Sequence, residues 1–113
     1  MKRTAMIATA LILATPTFAG TFTETEQQKC ETIAESAETI MKARQNGIGM
    51  DRLMQAVKDS TEKGSRSLYQ KMVGEAYQQP DWSQSQLRQK SIQDFKDKWY
   101  RKCYLALSSD EET

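Results

Sequence analysis

The amino-acid sequence predicts an all-α fold, a small four-helix domain closed by one disulfide. Three observations support this prediction. Apolar residues recur at steps of three and four in four separate segments, the spacing that places side chains on one face of an α-helix. No segment alternates apolar and polar residues for long enough to form a strand. The two cysteines, Cys30 and Cys103, lie on the apolar stripes of the first and last segments.

Residues 1–19 have the features of a secretory signal peptide. Two basic residues precede an apolar run, and Thr17-Phe18-Ala19 places small residues at the −3 and −1 positions of a cleavage site. The apolar run is about half the length that a membrane span requires, so a retained anchor is the weaker interpretation. Gly20 follows the cleavage site, where a lipid anchor would need a cysteine. We therefore expect residues 20–113 to form one periplasmic or secreted domain, with no membrane insertion of the mature chain.

Cys30 and Cys103 are the only cysteines in the sequence. An oxidising compartment favours their pairing over metal binding or a reactive thiol. The disulfide would close a loop of about 74 residues and contribute roughly 4 kcal/mol in the chain-entropy model. That contribution is comparable with the whole free energy of unfolding of a small domain, so the fold is expected to depend on this bond.

Local sequence signals mark the ends of the first two predicted helices. The first helix is expected over residues 24–46, because Thr23 and Glu26 fit a capping box at its start and Gly47 fits a left-handed terminator at its end. After the turn at residues 47–49, a shorter helix is expected, ending in the polar run 58–65. Its apolar positions are Met50, Leu53, Met54 and Val57.

Local sequence signals also mark the ends of the last two predicted helices. The third helix is expected over residues 65–78, because Pro80 disfavours helical geometry at the residue before it. The fourth is expected to follow Ser83 as its N-cap, with Gln86 completing a capping box. Residues 108–113 are predicted to form a disordered tail.

The charges nearly balance overall but are unevenly distributed. The sequence has 16 basic and 15 acidic residues. Removal of Lys2 and Arg3 with the signal peptide leaves the mature chain with a net charge of about −1, too small to predict binding to nucleic acid or to a membrane surface. Acidic residues crowd the first helix and basic residues crowd the last. A Cys30–Cys103 bond would bring the two sets together, so mutual neutralisation is favoured over a charged docking face.

The sequence lacks the residues of common catalytic and metal sites. It contains no histidine, the commonest general base and the usual zinc ligand. Ser60 and Lys63 match the Ser-x-x-Lys spacing of penicillin-recognising enzymes, but the companion motifs are missing. Glu31, Glu35 and Glu38 share one side of the first helix, where a solvated polar face is commoner than a cation site. We expect no enzyme, no cofactor and no metal.

The last two helices supply the candidate partner-binding residues. Tyr77, Tyr100, Arg101 and Tyr104 are of types enriched at protein interfaces, and Met72 and Leu107 could extend such a surface. The alternative is that these residues form a second layer of the core in a small bundle.

Several landmarks occur in a recognisable order: Cys30, Ile40-Met41-x-Ala43-Arg44-Gln45-x-Gly47, Ala76-Tyr77-x-x-Pro80, Phe95 and Cys103. This order resembles that of small exported helical proteins of Gram-negative bacteria and their phages, for which no activity is defined. The resemblance covers most of the mature chain, implies a periplasmic location and carries over no catalytic residue. Arg44 and Gln45 are further candidates for a partner site, although Arg44 could instead bond the last carbonyls of the first helix.

Together these observations predict a non-enzymatic periplasmic protein that binds another envelope protein, in an inhibitor, immunity or stress-type role. The alternative is a carrier of a small apolar ligand between the helices, which the methionine content and Gly74 suggest. A hydrolase that uses Ser60 and Lys63 is a third and much weaker hypothesis. The sequence predicts no particular oligomeric state.

Overall fold

The structure, a computed structural model, describes residues 22–109, which form four α-helices. They are α1 (Glu24–Gln45), α2 (Met50–Ser60), α3 (Lys63–Gln78) and α4 (Ser85–Ser109). No strand occurs within these residues, so the predicted all-α fold is confirmed. The expected signal peptide, residues 1–19, and its cleavage site lie outside the described part of the chain.

Successive helices alternate in direction, and α1 packs against the other three. Helix α4 is antiparallel to α1, because Cys103 near its end is bonded to Cys30 near the start of α1. Helix α3 is parallel to α1, since Tyr69 lies beside Ser36 and the end of α3 lies beside the end of α1. The short α2 forms an antiparallel hairpin with α3.

The predicted disulfide between Cys30 and Cys103 is present. The Cα atoms of the two cysteines are 5.4 Å apart, within the range that a disulfide requires. Cys30 is fully buried. The bond joins residues 73 positions apart and fixes the last turns of α4 against the first turns of α1.

Both ends of α1 have the predicted caps. The backbone N–H of Glu26 donates to Thr23 Oγ1 at 3.1 Å, although the Glu26 carboxylate does not complete the reciprocal half of the capping box. At the other end, Gly47 has a φ of 79°, which favours glycine. The N–H groups of Gly47 and Ile48 donate to the carbonyls of Arg44 and Ala43, both at 3.1 Å, which is the bonding pattern of a Schellman motif.

Four helix boundaries differ from the sequence-based expectation. Helix α1 ends at Gln45, one residue early. Helix α3 begins at Lys63, two residues early. Helix α4 begins at Ser85, and its first turn is closed by the Arg88 N–H donating to the Gln84 carbonyl at 3.0 Å, so Ser83 is not the N-cap. Helix α4 also continues through Ser109, two residues into the segment expected to be disordered. Residues 110–113 lie outside the described residues.

The core is a single cluster centred on α1, with Phe95 and Trp99 of α4 in edge-to-face contact at 6.3 Å between ring centroids. Close approach of a neighbouring helix does not explain the glycine at position 74 of α3, because a Cβ atom at this position would meet no atom within 4 Å. The buried members of the cluster are Ala37, Ile40, Met41, Val57, Met72, Val73, Ala76, Phe95 and Trp99.

Two carboxylates pair with the basic residues of α4. Glu38 of α1 lies 2.9 Å from Lys96 and 2.8 Å from Lys42 of its own helix. Glu75 of α3 lies 3.0 Å from Lys102 and 3.4 Å from Lys98. Burial alone would raise the pKa of Glu75, but the two lysines outweigh it and lower the pKa. The α1–α4 neutralisation expected from the sequence thus occurs at Glu38, and Glu75 adds a second site.

We expect the Glu38→Gln variant to be less stable than the wild type at neutral pH, and to lose this difference as the pH falls from 4.5 toward 2. Hydrogen bonds from Lys42 and then Lys96 lower the pKa of Glu38 from 4.5 to about 2. Because this pKa is lower in the folded than in the unfolded chain, the stabilisation is present above pH 4.5 and is lost as the pH falls toward 2. Thermal unfolding followed between pH 2 and pH 7 should show the two melting temperatures converging at low pH.

The matched control is Glu31→Gln on the same helix, since the Glu31 carboxylate accepts only a 3.4 Å hydrogen bond from Gln27. Its melting temperature should track that of the wild type at every pH. High salt should reduce the Glu38 effect, because the ion pairs are partly exposed. A difference between Glu38→Gln and wild type that persisted unchanged at pH 2 would contradict this assignment.

Candidate functional site

The structure divides the predicted partner-binding residues between the two ends of the bundle. Tyr104 follows Cys103 directly and therefore lies beside the start of α1. Tyr77 lies beside the turn after α1, because its hydroxyl donates to the Ile48 carbonyl. Since α1 has 22 residues and rises about 1.5 Å per residue, the two sites lie at opposite ends of a long helix. Tyr77 and Tyr104 therefore do not belong to one surface.

At the Tyr77 end, the polar groups are engaged within the fold. Arg44 Nε and Nη2 donate to the Gln79 carbonyl at 3.2 and 3.1 Å, so Arg44 caps α3 rather than its own helix. Its guanidinium carbon lies 5.0 Å from the centre of the Tyr77 ring. Burial raises the pKa of Tyr77. Arg44 and Tyr77 thus fasten α1, α3 and the turn after α1 together.

Gln45 was a candidate partner residue, but only 3% of it is exposed, which excludes it from a surface. Its Nε2 donates to the Pro80 carbonyl at 2.8 Å, and its Oε1 accepts from the Trp82 N–H at 3.0 Å. This amide holds the segment between α3 and α4 against the end of α1. Met72, which was expected near the binding face, is fully buried in the core.

The other end of the bundle presents a surface, which we call the distal α4 surface, on the last turns of α4. It consists of Tyr100, Arg101, Tyr104 and Leu105. Tyr104 is 43% exposed and Leu105 is 57% exposed, Arg101 is exposed and Tyr100 is half-buried. The four residues are contiguous because positions four apart lie next to each other on a helix. Leu107, by contrast, is half-buried.

Leu105 was not among the residues singled out from the sequence. It has the largest exposed fraction among the exposed large apolar residues of the described chain. The signal for it was available, because Leu105 falls outside the apolar stripe that contains Phe95, Trp99 and Cys103. An apolar residue off the stripe of an amphipathic helix is expected to face solvent or a partner.

The distal α4 surface is held rigidly. Cys103 ties its centre to α1, and the Phe22 ring packs edge-on against Tyr104 with 5.0 Å between ring centroids. Ser108 Oγ donates to the Tyr104 carbonyl at 2.7 Å in the last turn. A surface that is already ordered loses less conformational entropy when it binds.

Ser60 and Glu38, which belong to the candidate catalytic and metal-binding sets, have other partners within residues 22–109. Ser60 Oγ donates to the Ala56 carbonyl at 2.7 Å, which directs its proton to the helix rather than to Lys63. The Glu38 carboxylate is paired with two lysines, so it does not act together with Glu31 and Glu35 as one set of ligands. No group of three or more potential ligands is placed to hold a metal ion within the described residues.

Within the same residues, no helix is both long enough and apolar enough to cross a membrane. No protein-family model, no curated protein and no solved structure matches this chain.

Proposed function

We propose that the mature chain acts in the periplasm, without catalysis, by binding another envelope protein through the distal α4 surface. The observation that carries this proposal is the exposure of Tyr104 and Leu105, 43% and 57%, on turns that a disulfide holds in place. The chemistry of the surface fits a partner with an apolar pocket rimmed by carboxylates, since Arg101 is exposed beside the two apolar side chains. An inhibitor, immunity or stress-type role would use such a surface.

Two features support protein binding. Tyrosine and arginine are enriched among residues that dominate binding energy at interfaces, and here both types stand next to an exposed leucine. The nearby lysines of α4, Lys98 and Lys102, share one carboxylate, Glu75, so one of their two charges is compensated within the protein. Arg101 makes no ion pair with any residue of the described chain and remains available for a partner carboxylate.

Photo-crosslinking in intact cells tests this proposal. A chain carrying p-benzoylphenylalanine in place of Leu105 should form one discrete adduct with an envelope protein on irradiation. The matched control is the same crosslinker at Gln89, an exposed α4 position far from the surface, which should form none. Adding Tyr104→Ala to the chain that carries the crosslinker at position 105 should abolish the adduct.

The variants should leave the fold intact, because exposed substitutions away from special features usually change stability by less than about 0.5 kcal/mol. Melting temperatures of the purified crosslinker chains check this directly. Absence of an adduct from position 105 would contradict the proposal. An adduct of equal yield from position 89 would contradict it as well.

A further inference from the structure

A pocket of about 350 Å³ lies beside the disulfide, between α1, α3 and α4. Its walls are largely apolar, and its volume falls within the usual range of small-molecule sites. Lysines from all three helices surround it, and none of the described residues that line it is acidic. The lining residues are Lys29, Ile33, Leu68, Lys71, Trp99, Lys102, Cys103, Ala106 and Leu107.

Two of the three lysines are available to a ligand. Lys102 donates to Glu75 at 3.0 Å and lies 4.6 Å from the centre of the Trp99 ring. Lys29 and Lys71 are exposed, and neither makes an ion pair with another residue between Phe22 and Ser109. Two uncompensated ammonium groups at the edge of an apolar pocket favour a ligand that has a negative head and an apolar body.

The indole of Trp99 provides an independent indication. Trp99 is only 3% exposed, and its Nε1 atom is buried with no hydrogen-bond partner in the described chain. A buried N–H of tryptophan normally has an acceptor. Trp99 lines the pocket, so the wall of the pocket contains a residue whose donor has no acceptor within residues 22–109.

A second concavity on the protein has a lining of opposite charge to that of the pocket beside the disulfide. A groove of about 630 Å³ between α1, α2 and α3 is lined by seven hydroxyl side chains and by the carboxylates of Glu35 and Glu62. Hydroxyls along its wall, such as Thr39 and Ser60, donate to carbonyls of their own helices. This groove therefore presents acceptors and negative charge, whereas the pocket beside the disulfide presents donors and positive charge.

We infer that the pocket beside the disulfide binds an amphiphilic anion with a single alkyl chain. The chain would lie against Ile33, Leu68 and Leu107, and the head would pair with Lys29 and Lys71. The shared chemistry is a carboxylate or phosphate oxygen on an aliphatic chain, as in a fatty acid or a single-chain phospholipid. This inference does not depend on the distal α4 surface, because different residues carry the two sites.

The test measures binding of defined amphiphiles to the purified, oxidised domain below their micelle concentrations. Dodecanoate and dodecyl phosphate represent the two head groups, and dodecyltrimethylammonium has the same chain with the opposite charge. Isothermal titration calorimetry gives the affinity, and Trp99 fluorescence in a Trp82→Phe background places the ligand. We expect at least one of the two anions to bind and to shift the emission of Trp99, and the cation to bind at least tenfold more weakly.

Matched variants locate the site. Lys29→Gln with Lys71→Gln should weaken binding about tenfold, whereas Lys58→Gln with Lys63→Gln, which removes two lysines outside the pocket, should not. Leu107→Trp should fill the pocket and abolish binding. All four lysines are exposed, so the lysine variants keep the test valid if Leu107→Trp does not fold. Failure of both anions to bind, equal binding of the cation, or equal affinity in the two lysine pairs would overturn the inference.

Discussion

Replacing Cys30 and Cys103 with alanine should lower the free energy of unfolding by about 4 kcal/mol. The disulfide joins residues 73 positions apart, and closing so long a loop lowers the conformational entropy of the unfolded chain. For a domain of this size, that loss corresponds to a fall in melting temperature of roughly 20 °C. Urea unfolding followed by circular dichroism measures the change directly.

Reduction of the wild type with dithiothreitol is the matched control, because it breaks the same bond without changing the buried volume of Cys30. The reduced protein and the double alanine variant should agree within about 1 kcal/mol. The Leu105 crosslink should also be lost on reduction, since the last turns of α4 would no longer be fixed to α1. A loss below about 1 kcal/mol would show that packing, rather than the disulfide, holds α4 in place.

The sequence predicted most of the fold because the signals that mark the ends of its helices are local. Thr23 and Gly47 delimit α1 through bonds made within a few residues, and Pro80 ends α3. The start of α3 was missed because its N-cap residue, Glu62, makes no capping hydrogen bond with its side chain. The start of α4 was misplaced because the Trp82 N–H is held by Gln45, 37 positions away, and no local pattern reports such a contact.

The candidate site was less predictable, because it depends on the direction of each helix. Tyr77 and Tyr104 both lie in the last turns of their helices, and these turns are at opposite ends of the bundle because α3 and α4 are antiparallel. The predicted disulfide was sufficient to locate one of the two tyrosines, since pairing Cys103 with Cys30 places Tyr104 beside the start of α1. Glu75 was missed for a related reason: its two lysine partners lie 23 and 27 positions along the chain, on another helix.

The contact of Gln45 with the segment before α4 leads to the second large expected effect. Both groups of its amide are used, Nε2 as donor to the Pro80 carbonyl and Oε1 as acceptor from the Trp82 N–H. Gln45→Glu would keep the acceptor but would place an oxygen against the Pro80 carbonyl in a site that is 3% exposed. We expect a loss of about 3 kcal/mol at pH 7, because the charge is buried and one carbonyl loses its donor.

The pH dependence distinguishes this cause from a loss of packing. Burial should raise the pKa of the introduced carboxyl, so its protonated form would persist in the folded state and could donate to Pro80. The destabilisation relative to wild type should therefore be smallest below about pH 4 and should grow as the pH rises. Arg88 Nη2 donates to the Gln45 carbonyl and to Asn46 Oδ1, and neither bond involves the Gln45 side chain. Urea unfolding at pH 4 and pH 7 should show this trend in Gln45→Glu and not in Gln45→Met or the exposed control Gln89→Glu. A Gln45→Glu protein as stable as wild type at pH 7 would show that the amide does not hold the α3–α4 segment.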